Sequence, residues 1–469
     1  QCLRASGSAN VREGIHLKTM RRYVPIIMLA GTLVGLGSYL YFIEIPNERD
    51  HMQVDSQEKK LLPFEEHDIT GLTVKTSTGP ITLSQSGPPG WNITDPVQAE
   101  ADVREVQSLI RALVLGSVSR TIEEGNTALT PFGLDNPTTS ITVRAGAREE
   151  TVLIGDSGPI SSTLYAMRQS DHKVLLTTLE PKDFLNKSVM SFRRKDVLHF
   201  SQDQADRLRI NYPNAEIVLY RQGASAHGSS SKGTWHLRAP IEAKADQAEV
   251  RALLLKLEDL KAIDFIDKGQ EHVDLLRNLL EPAIKITIHA GGTDHTLKLY
   301  QFEDVSEQVF AVTTPDAPIY RITPLVMNDL TKELFDLQDK RLLGVDYDEI
   351  ALLKVKTRTH DYTLINEQGA WILEDQPTKK LSQEKADLFI SRVVNLPAEI
   401  RVLKQLGPLG PYGLTSPSAE FTAIGKDGKV KGRIVLGNKI SGLVYALGQG
   451  LPGLFQTRAD LLDQVPSTQ

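Results

Sequence analysis

The sequence is poor in cysteine: its 469 residues contain only one, Cys2. A single cysteine cannot form a disulfide within the chain, so the folded parts must be stabilised by their own hydrophobic cores. No apolar stretch precedes Cys2, which argues against a lipid-attachment signal at that position. The chain has 40% hydrophobic and 24% charged residues, an ordinary globular composition that allows such cores.

The chain also lacks an excess of positive charge. Its 53 lysines and arginines are outnumbered by 59 acidic residues, which gives a formal net charge of -6. A general nucleic-acid-binding protein carries a basic surface, so we expect no nucleic-acid partner. The sequence contains no His-Glu-x-x-His, no phosphate-binding G-x-x-x-x-G-K-S/T and no dinucleotide-binding fingerprint. We therefore expect neither ATP hydrolysis nor a nucleotide cofactor.

The eleven histidines are scattered along the chain. His289 and His295 flank Gly291 and Gly292, so the two imidazoles could face each other across a hairpin. Zinc takes three or four protein ligands, and two histidines alone do not supply them. We expect a solvated hairpin here, with no metal and no cofactor.

One short stretch resembles the nucleophile motif of chymotrypsin-type serine proteases. It runs from Gly155 through Asp156 and Ser157 to Pro159. That chemistry needs a histidine base and a buried aspartate beside the serine, and no histidine here has the corresponding surroundings. Aspartate, serine and glycine are also what a strand-to-strand turn favours. We expect a turn and no catalytic residues, and we retain hydrolysis through Ser157 only as the last alternative.

A long uncharged run extends from Val24 to Ile43 and contains Gly31 and Gly35. About 20 apolar residues suffice to cross a bilayer, which predicts a transmembrane helix at 23–43. Gly31 and Gly35 are spaced as in helix-dimer motifs, although glycine is common in membrane helices anyway. A cleaved signal peptide is the alternative, but the run is longer than usual and no small-x-small site follows it.

Positive charges precede this run and acidic residues follow it. The positive-inside bias predicts a cytoplasmic tail at 1–22, a polar linker at 44–64 and the remainder on the outer side. The expected location is therefore the bacterial inner membrane, with a single pass, a lipid-bilayer partner and a periplasmic bulk.

The three tryptophans recur at one position in a repeating pattern. Trp91, Trp235 and Trp371 are each followed, after the same interval, by a residue that can cap a helix: Asp102, Asp246 and Ser382. Apolar residues at helical spacing follow each cap. This agreement predicts a repeat of about 140 residues. The expected repeats are 65–200, 201–343 and 344–469.

Further signature residues follow each predicted helix, and we interpret all of them as structural. They are Trp91, Phe132, Gly133, Leu134, Pro137, Gly155 and Tyr165 in the first repeat, Trp235, Pro282 and Phe310 in the second, and Trp371, Gly413, Pro417, Gly437 and Tyr445 in the third. Alternating apolar runs around them predict three strands, the main helix, a loop, four strands and a short helix. The expected fold class is α+β: an N-terminal transmembrane helix, then three tandem repeats, each an antiparallel sheet packed on one main amphipathic helix.

This combination resembles the DUF4340 family. The resemblance rests on Phe132-Gly133-Leu134 with Pro137, Ile154-Gly155, Tyr165-Ala166, Lys187-Ser188 and Arg194-Lys195 behind an N-terminal anchor. The second repeat departs from it, with Arg277-Asn278-Leu279 in place of Phe-Gly-Leu. The resemblance implies a membrane-anchored bacterial envelope protein. It also implies an accessory role beside ABC-type transporters of the gliding-motility class, with permease, ATPase and auxiliary subunits as partners, and no catalytic residues.

We therefore expect a non-catalytic binding or scaffold subunit of an ABC-type transport or envelope assembly. Tandem repeats provide the extended surface that such a role needs. The alternative is a free-standing periplasmic receptor for a lipid or glycan, which needs an apolar or aromatic pocket.

Overall fold

The computed structural model describes seven stretches of the chain and six positions between 28 and 38. The stretches are 60–124, 128–160, 162–179, 187–223, 233–302, 305–375 and 382–464. The chain forms two compact units, Gln1–Lys195 and Asp196–Gln469. The first unit holds one antiparallel sheet and the second unit holds two.

The predicted membrane span falls mostly outside the described residues. Val24, Gly31 and Ile43 are not described, whereas Gly35 lies in a helix. Over the described positions, the chain forms no helix that combines the length and the apolar character needed to cross a membrane. This finding corrects the prediction of a single-pass transmembrane helix, and with it the predicted inner-membrane location.

The first sheet has nine strands. They are β1 (Gly71–Thr76), β2 (Gly79–Gly87), β3 (Gly90–Asp95), β4 (Ala99–Glu100), β5 (Val118–Glu124), β6 (Thr139–Ala145), β7 (Arg148–Ser157), β8 (Leu164–Arg168) and β9 (Lys173–Thr177). Their order across the sheet is β4-β3-β2-β1-β6-β7-β8-β9-β5. Alternating residues of β1 explain its central place, because Leu72 and Val74 are buried and pair with Leu83 and Ile81 on one side and with β6 on the other.

Helix α1 (Val103–Leu115) buries one apolar stripe in the core of this sheet, and a four-residue helix, α2 (Val189–Phe192), follows the last strand. Asp102 accepts hydrogen bonds from the backbone N–H groups of Arg104 and Glu105, which confirms the predicted cap. Leu61 and Leu62, which we placed in the linker, are fully buried in the same core.

The second unit contains the other two sheets. Its first sheet has β10 (Ala205–Tyr212), β11 (Ala215–Gln222), β12 (Thr234–Ala239), β13 (Ala243–Lys244), β14 (Asp264–Ile266), β15 (Ile284–Ala290), β16 (Thr293–Phe302), β17 (Val305–Val312) and β18 (Ile319–Ile322). Its second sheet has β19 (Leu352–Thr357), β20 (Asp361–Glu367), β21 (Ala370–Leu373), β22 (Ile400–Leu403), β23 (Ala419–Ile424), β24 (Val430–Ile440), β25 (Leu443–Gly448) and β26 (Leu451–Arg458). The helices of this unit are α3 (Gln247–Glu258), α4 (Gln270–Asn278), α5 (Leu325–Leu330), α6 (Leu334–Leu337) and α7 (Gln383–Val394).

The second sheet repeats the strand order of the first as β13-β12-β11-β10-β15-β16-β17-β18-β14. The third sheet repeats it as β21-β20-β19-β23-β24-β25-β26-β22, with eight strands and, within the residues that the structure describes, without a counterpart of β4 and β13. Asp246 caps α3 as Asp102 caps α1, whereas Ser382 stands at the N-terminus of α7 without a side-chain capping bond.

The α+β assignment is corrected by this architecture, because antiparallel sheet dominates the described chain and the predicted transmembrane helix is not found. The predicted loop after each main helix is one reason for the error. That segment forms the edge strands β5, β14 and β22, which pair with β9, β18 and β26. These partners lie dozens of residues further along the chain, and bulges in β5 and β22 interrupt the alternation that would have revealed them.

Candidate functional site

The signature turn in the first and third sheets carries a pair of aromatic rings. Phe132 packs edge-on against Tyr165 with ring centroids 5.0 Å apart, and Tyr412 packs in the same way against Tyr445, also at 5.0 Å. All four side chains are half-buried. Neighbouring strand residues point to opposite faces, and Ala166 and Ala446 are fully buried in the main cores. The aromatic pairs therefore lie on the outer face of each sheet, away from the main helix.

Glycine allows the turn backbone to rest directly on the strand beneath it. A Cβ built at Gly155 would overlap the carbonyl oxygen of Phe132, and one at Gly437 would overlap that of Tyr412. Gly133 and Gly413 end the turns at φ of 65° and 72°, a left-handed conformation that favours glycine. The glycines of the signature thus hold the aromatic pairs in place.

All three repeats share a buried leucine and a half-buried proline at this position. Leu134, Leu279 and Leu414 are buried at equivalent positions. Pro137, Pro282 and Pro417 follow them as half-buried residues.

In the second sheet the equivalent aromatic residues are buried. Helix α4 replaces the short turn, and Tyr300 and Phe310 are only 8% and 5% exposed within a separate cluster that includes Leu279 and Ile266. The half-exposed aromatic pair is therefore a feature of the first and third sheets.

The three tryptophans lie in the main cores, with exposures of 4%, 6% and 0% for Trp91, Trp235 and Trp371. In the second and third sheets a glutamine in the first turn of the helix joins the tryptophan backbone. Gln383 accepts from the N–H of Trp371 at 2.7 Å and donates to its carbonyl at 2.8 Å, and Gln247 makes the same two bonds to Trp235. The glutamine side-chain amide thus connects α3 to the second sheet and α7 to the third sheet by hydrogen bonds.

The residues weighed for catalysis and metal binding are separated by the fold. Ser157 is exposed at the end of β7 and pairs in the ladder with Leu164. His289 stands opposite Asp294 and bonds to its carboxylate at 2.7 Å, whereas His295 stands opposite Ile288. Across the described ranges, no group of three His, Cys, Asp or Glu residues is placed to hold a metal ion.

A short segment joins the two sheets of the second unit by backbone hydrogen bonds on both sides. Toward the second sheet, Leu337 accepts from the N–H of Asp246 at 2.9 Å. Toward the third sheet, the N–H of Leu342 donates to Leu396 at 3.0 Å, and Lys340 accepts from Ala398 at 2.7 Å. Residues 337–342, which we call the junction segment, therefore form part of both sheets' hydrogen-bond networks.

An ion-pair network reinforces the junction segment. The Arg341 guanidinium binds both carboxylate oxygens of Asp339 and also donates to Asp346 at 2.8 Å. Lys244, at the edge of the second sheet, donates to the other oxygen of Asp346 at 2.8 Å. The hydrogen bond from Lys244, followed by that from Arg341, lowers the pKa of Asp346. Sequence reasoning missed this network, since about a hundred residues separate Lys244 from its partners.

We expect substitution of Arg341 with Met to destabilise the second unit by about 1 kcal/mol at pH 7. Asp346 is nearly half exposed, so water and salt screen its pairing and keep the effect modest. Because the folded-state pKa of Asp346 is lowered, its contribution is complete above the ordinary aspartate pKa of about 3.9 and is lost as the pH falls further. The difference between wild type and Arg341→Met in urea unfolding should therefore shrink between pH 7 and pH 3.

The matched control is Arg358→Met, in the exposed turn between β19 and β20. It removes the same charge away from the junction segment and should leave the unfolding midpoint nearly unchanged. An equal loss of stability in both variants, or a difference that does not change with pH, would contradict the role given to the network.

Comparison with known proteins gives a family match. A family model described as a domain of unknown function, DUF4340, matches residues 91–268 and again 235–417. The two matches together span well over half of the chain, and each begins at one of the recurring tryptophans. No curated protein and no solved structure matches the chain. The chain therefore belongs to the DUF4340 family.

Proposed function

We propose that this protein is a non-catalytic binding and scaffold subunit of a multi-protein assembly. The observation that carries the proposal is the junction segment, which hydrogen-bonds to both sheets of the second unit. A scaffold must hold its partner-binding surfaces at fixed positions, because flexible connections add an entropic cost to every contact made. Backbone bonds on both sides of one segment, with the Arg341 network across it, meet that requirement.

The contact point of the scaffold, in this proposal, is the outer face of the sheet at the aromatic pair. Tyrosine and phenylalanine are enriched in protein interfaces because they bury much area while losing few rotamers. Tyr412 and Tyr445 are half-exposed and are kept in one arrangement by Gly413 and Gly437 beneath them. The pair Phe132 and Tyr165 repeats the arrangement in the first unit.

The partners proposed are the permease and ATPase subunits of an ABC-type transporter. This part of the proposal rests on the family resemblance rather than on any group in the site. The test is purification of the tagged chain from its native cells in mild detergent, followed by mass spectrometry. We expect both transporter subunits in stoichiometric amounts. Recovery of the chain alone would contradict the proposal.

We expect Tyr445→Ala to lower the amount of co-purified partner at least tenfold. Central aromatic residues of interfaces typically cost about 2 kcal/mol or more when truncated. The control is Leu388→Ala, which removes a side chain 54% exposed on the outer side of α7. Circular dichroism establishes that both variants are folded. Equal partner recovery from the two variants would show that the aromatic pair is not the contact point.

A further inference from the structure

The second sheet contains a cavity of about 360 Å³ that belongs to neither the aromatic pairs nor the junction segment. It lies between the short helix Gln202–Gln204, the ends of β11 and β12 and the start of α3. Trp235 and Leu254, which are 6% and 2% exposed, contribute its apolar lining. Small-molecule sites typically have about 300–1,000 Å³, so the cavity can hold a compact ligand.

Arg221 lines the cavity with a guanidinium that is already fixed in position. Its Nε donates to the carbonyl of Gly233 at 3.3 Å, and its Nη1 donates to the carbonyls of Asp203 at 2.9 Å and Ala205 at 3.3 Å. The guanidinium carbon also lies 6.0 Å from the ring centroid of Trp235. These partners are neutral, so they orient the cation without neutralising its charge. A ligand would gain a pre-organised positive group at little further entropic cost.

Arg251 adds a second positive charge from α3. It follows Gln247 by four residues, so the two side chains lie on the same face of the helix and both line the cavity. Arg251 is exposed, and neither it nor Arg221 forms an ion pair with any carboxylate in the part of the chain described here. Asp203 is the one acidic residue of the lining, so the lining has a net positive charge.

The polar groups around the arginines define the chemistry of the ligand. Two guanidinium groups suit a carboxylate or another small anion, which they can bind through charge-assisted hydrogen bonds. Gln202 lies in the same lining, and its side-chain amide can exchange hydrogen bonds with hydroxyl groups. A purely apolar ligand would displace water from the Gln202 amide without replacing its hydrogen bonds, at a cost in free energy.

We propose that this cavity binds a small hydroxylated carboxylate, such as a uronic-acid sugar. The site goes beyond the scaffold function, because neither the junction segment nor the aromatic pairs contribute to it. The scaffold function and the ligand site can therefore be disproved separately. A chain that binds no partner protein could still bind the carboxylate, and a chain that does not bind the carboxylate could still bind its partner proteins.

The experiment is isothermal titration calorimetry of the full chain with glucuronate. Glucose is the neutral analogue, and inorganic phosphate is the anion without a carbon skeleton. We expect saturable binding of glucuronate that weakens as salt is raised, together with binding of glucose and phosphate at least tenfold weaker. If phosphate bound as tightly as glucuronate, the cavity would be a general anion site and not a site for a hydroxylated carboxylate. If glucose bound as tightly as glucuronate, the charge of the ligand would play no role in binding. Either result overturns the proposal, as does the absence of binding.

Substitution of Arg251 with Gln identifies the site. Arg251 is exposed on its helix and the variant should fold normally. Loss of one charge-assisted hydrogen bond should weaken glucuronate binding about tenfold. Arg358→Gln makes the same charge change in the turn between β19 and β20 and should leave binding unchanged. Similar affinities for the two variants would show that glucuronate binds elsewhere.

Discussion

Substitution of Trp371 with Ala should destabilise the second unit by about 4 kcal/mol. Trp371 is fully buried, and large-to-small changes of buried aromatic residues typically cost about 3–5 kcal/mol. Its indole Nε1 also donates to the hydroxyl of Tyr347 at 2.7 Å, and that hydroxyl donates to Asp387 at 2.7 Å. Urea unfolding followed by circular dichroism measures the change.

Trp371→Phe serves as the matched control. It retains most of the ring volume and loses the indole hydrogen bond, so we expect a smaller cost of about 1–2 kcal/mol. The backbone bonds to Gln383 do not depend on the side chain and should persist in both variants. Equal effects of Phe and Ala would show that packing around the ring contributes little, contrary to the interpretation of the tryptophan as a core residue.

Substitution of Gly437 with Ala should lower the free energy of unfolding of the second unit by about 3 kcal/mol. The new Cβ would overlap the backbone carbonyl oxygen of Tyr412, and a backbone atom cannot move aside as a flexible side chain can. The turn would have to lift from the strand, which would also separate Tyr412 from Tyr445. Gly155→Ala should act in the same way in the first unit, because its Cβ would overlap the carbonyl of Phe132.

Gly410→Ala is the control within the same turn. A Cβ at Gly410 meets no atom within 4 Å, and its backbone has no left-handed conformation to strain. We expect the stability of Gly410→Ala to be unchanged or slightly higher than that of the wild type, because alanine restricts the unfolded chain more than glycine does. The measurement is a comparison of the unfolding midpoints of Gly437→Ala and Gly410→Ala. A Gly437→Ala variant as stable as Gly410→Ala would mean that the close approach of turn and strand is not required.

The repeating elements could be predicted because their causes are local. The fixed interval from Trp91 to Asp102 and from Trp235 to Asp246 reflects a strand, a short connection and a capped helix, all visible in neighbouring residues. Alternation along β1 predicts which side chains are buried. The edge strands were missed because their partners are remote and their register is bulged.

The ion-pair network of the junction segment and the cavity lined by Arg221 and Arg251 could not be predicted, because their residues meet only in the folded chain. Lys244 and Asp346 contact each other across the boundary between two sheets, and neither position stands out from the other charged residues of the sequence. Arg221 and Arg251 come from a strand and a helix that the sequence does not place side by side. The membrane span was predicted from the length of an uncharged run and the lack of a cleavage site after it, and over the described positions no helix is long and apolar enough to cross a membrane.

The central claim is that the junction segment makes the two sheets of the second unit behave as one body. Native-state hydrogen exchange of the unaltered protein, measured by mass spectrometry at increasing urea, tests it directly. The central strands β10 and β15 of the second sheet and β19 and β23 of the third should open with the same free energy and the same dependence on urea. Exchange of one pair at low urea while the other stays protected would contradict the claim.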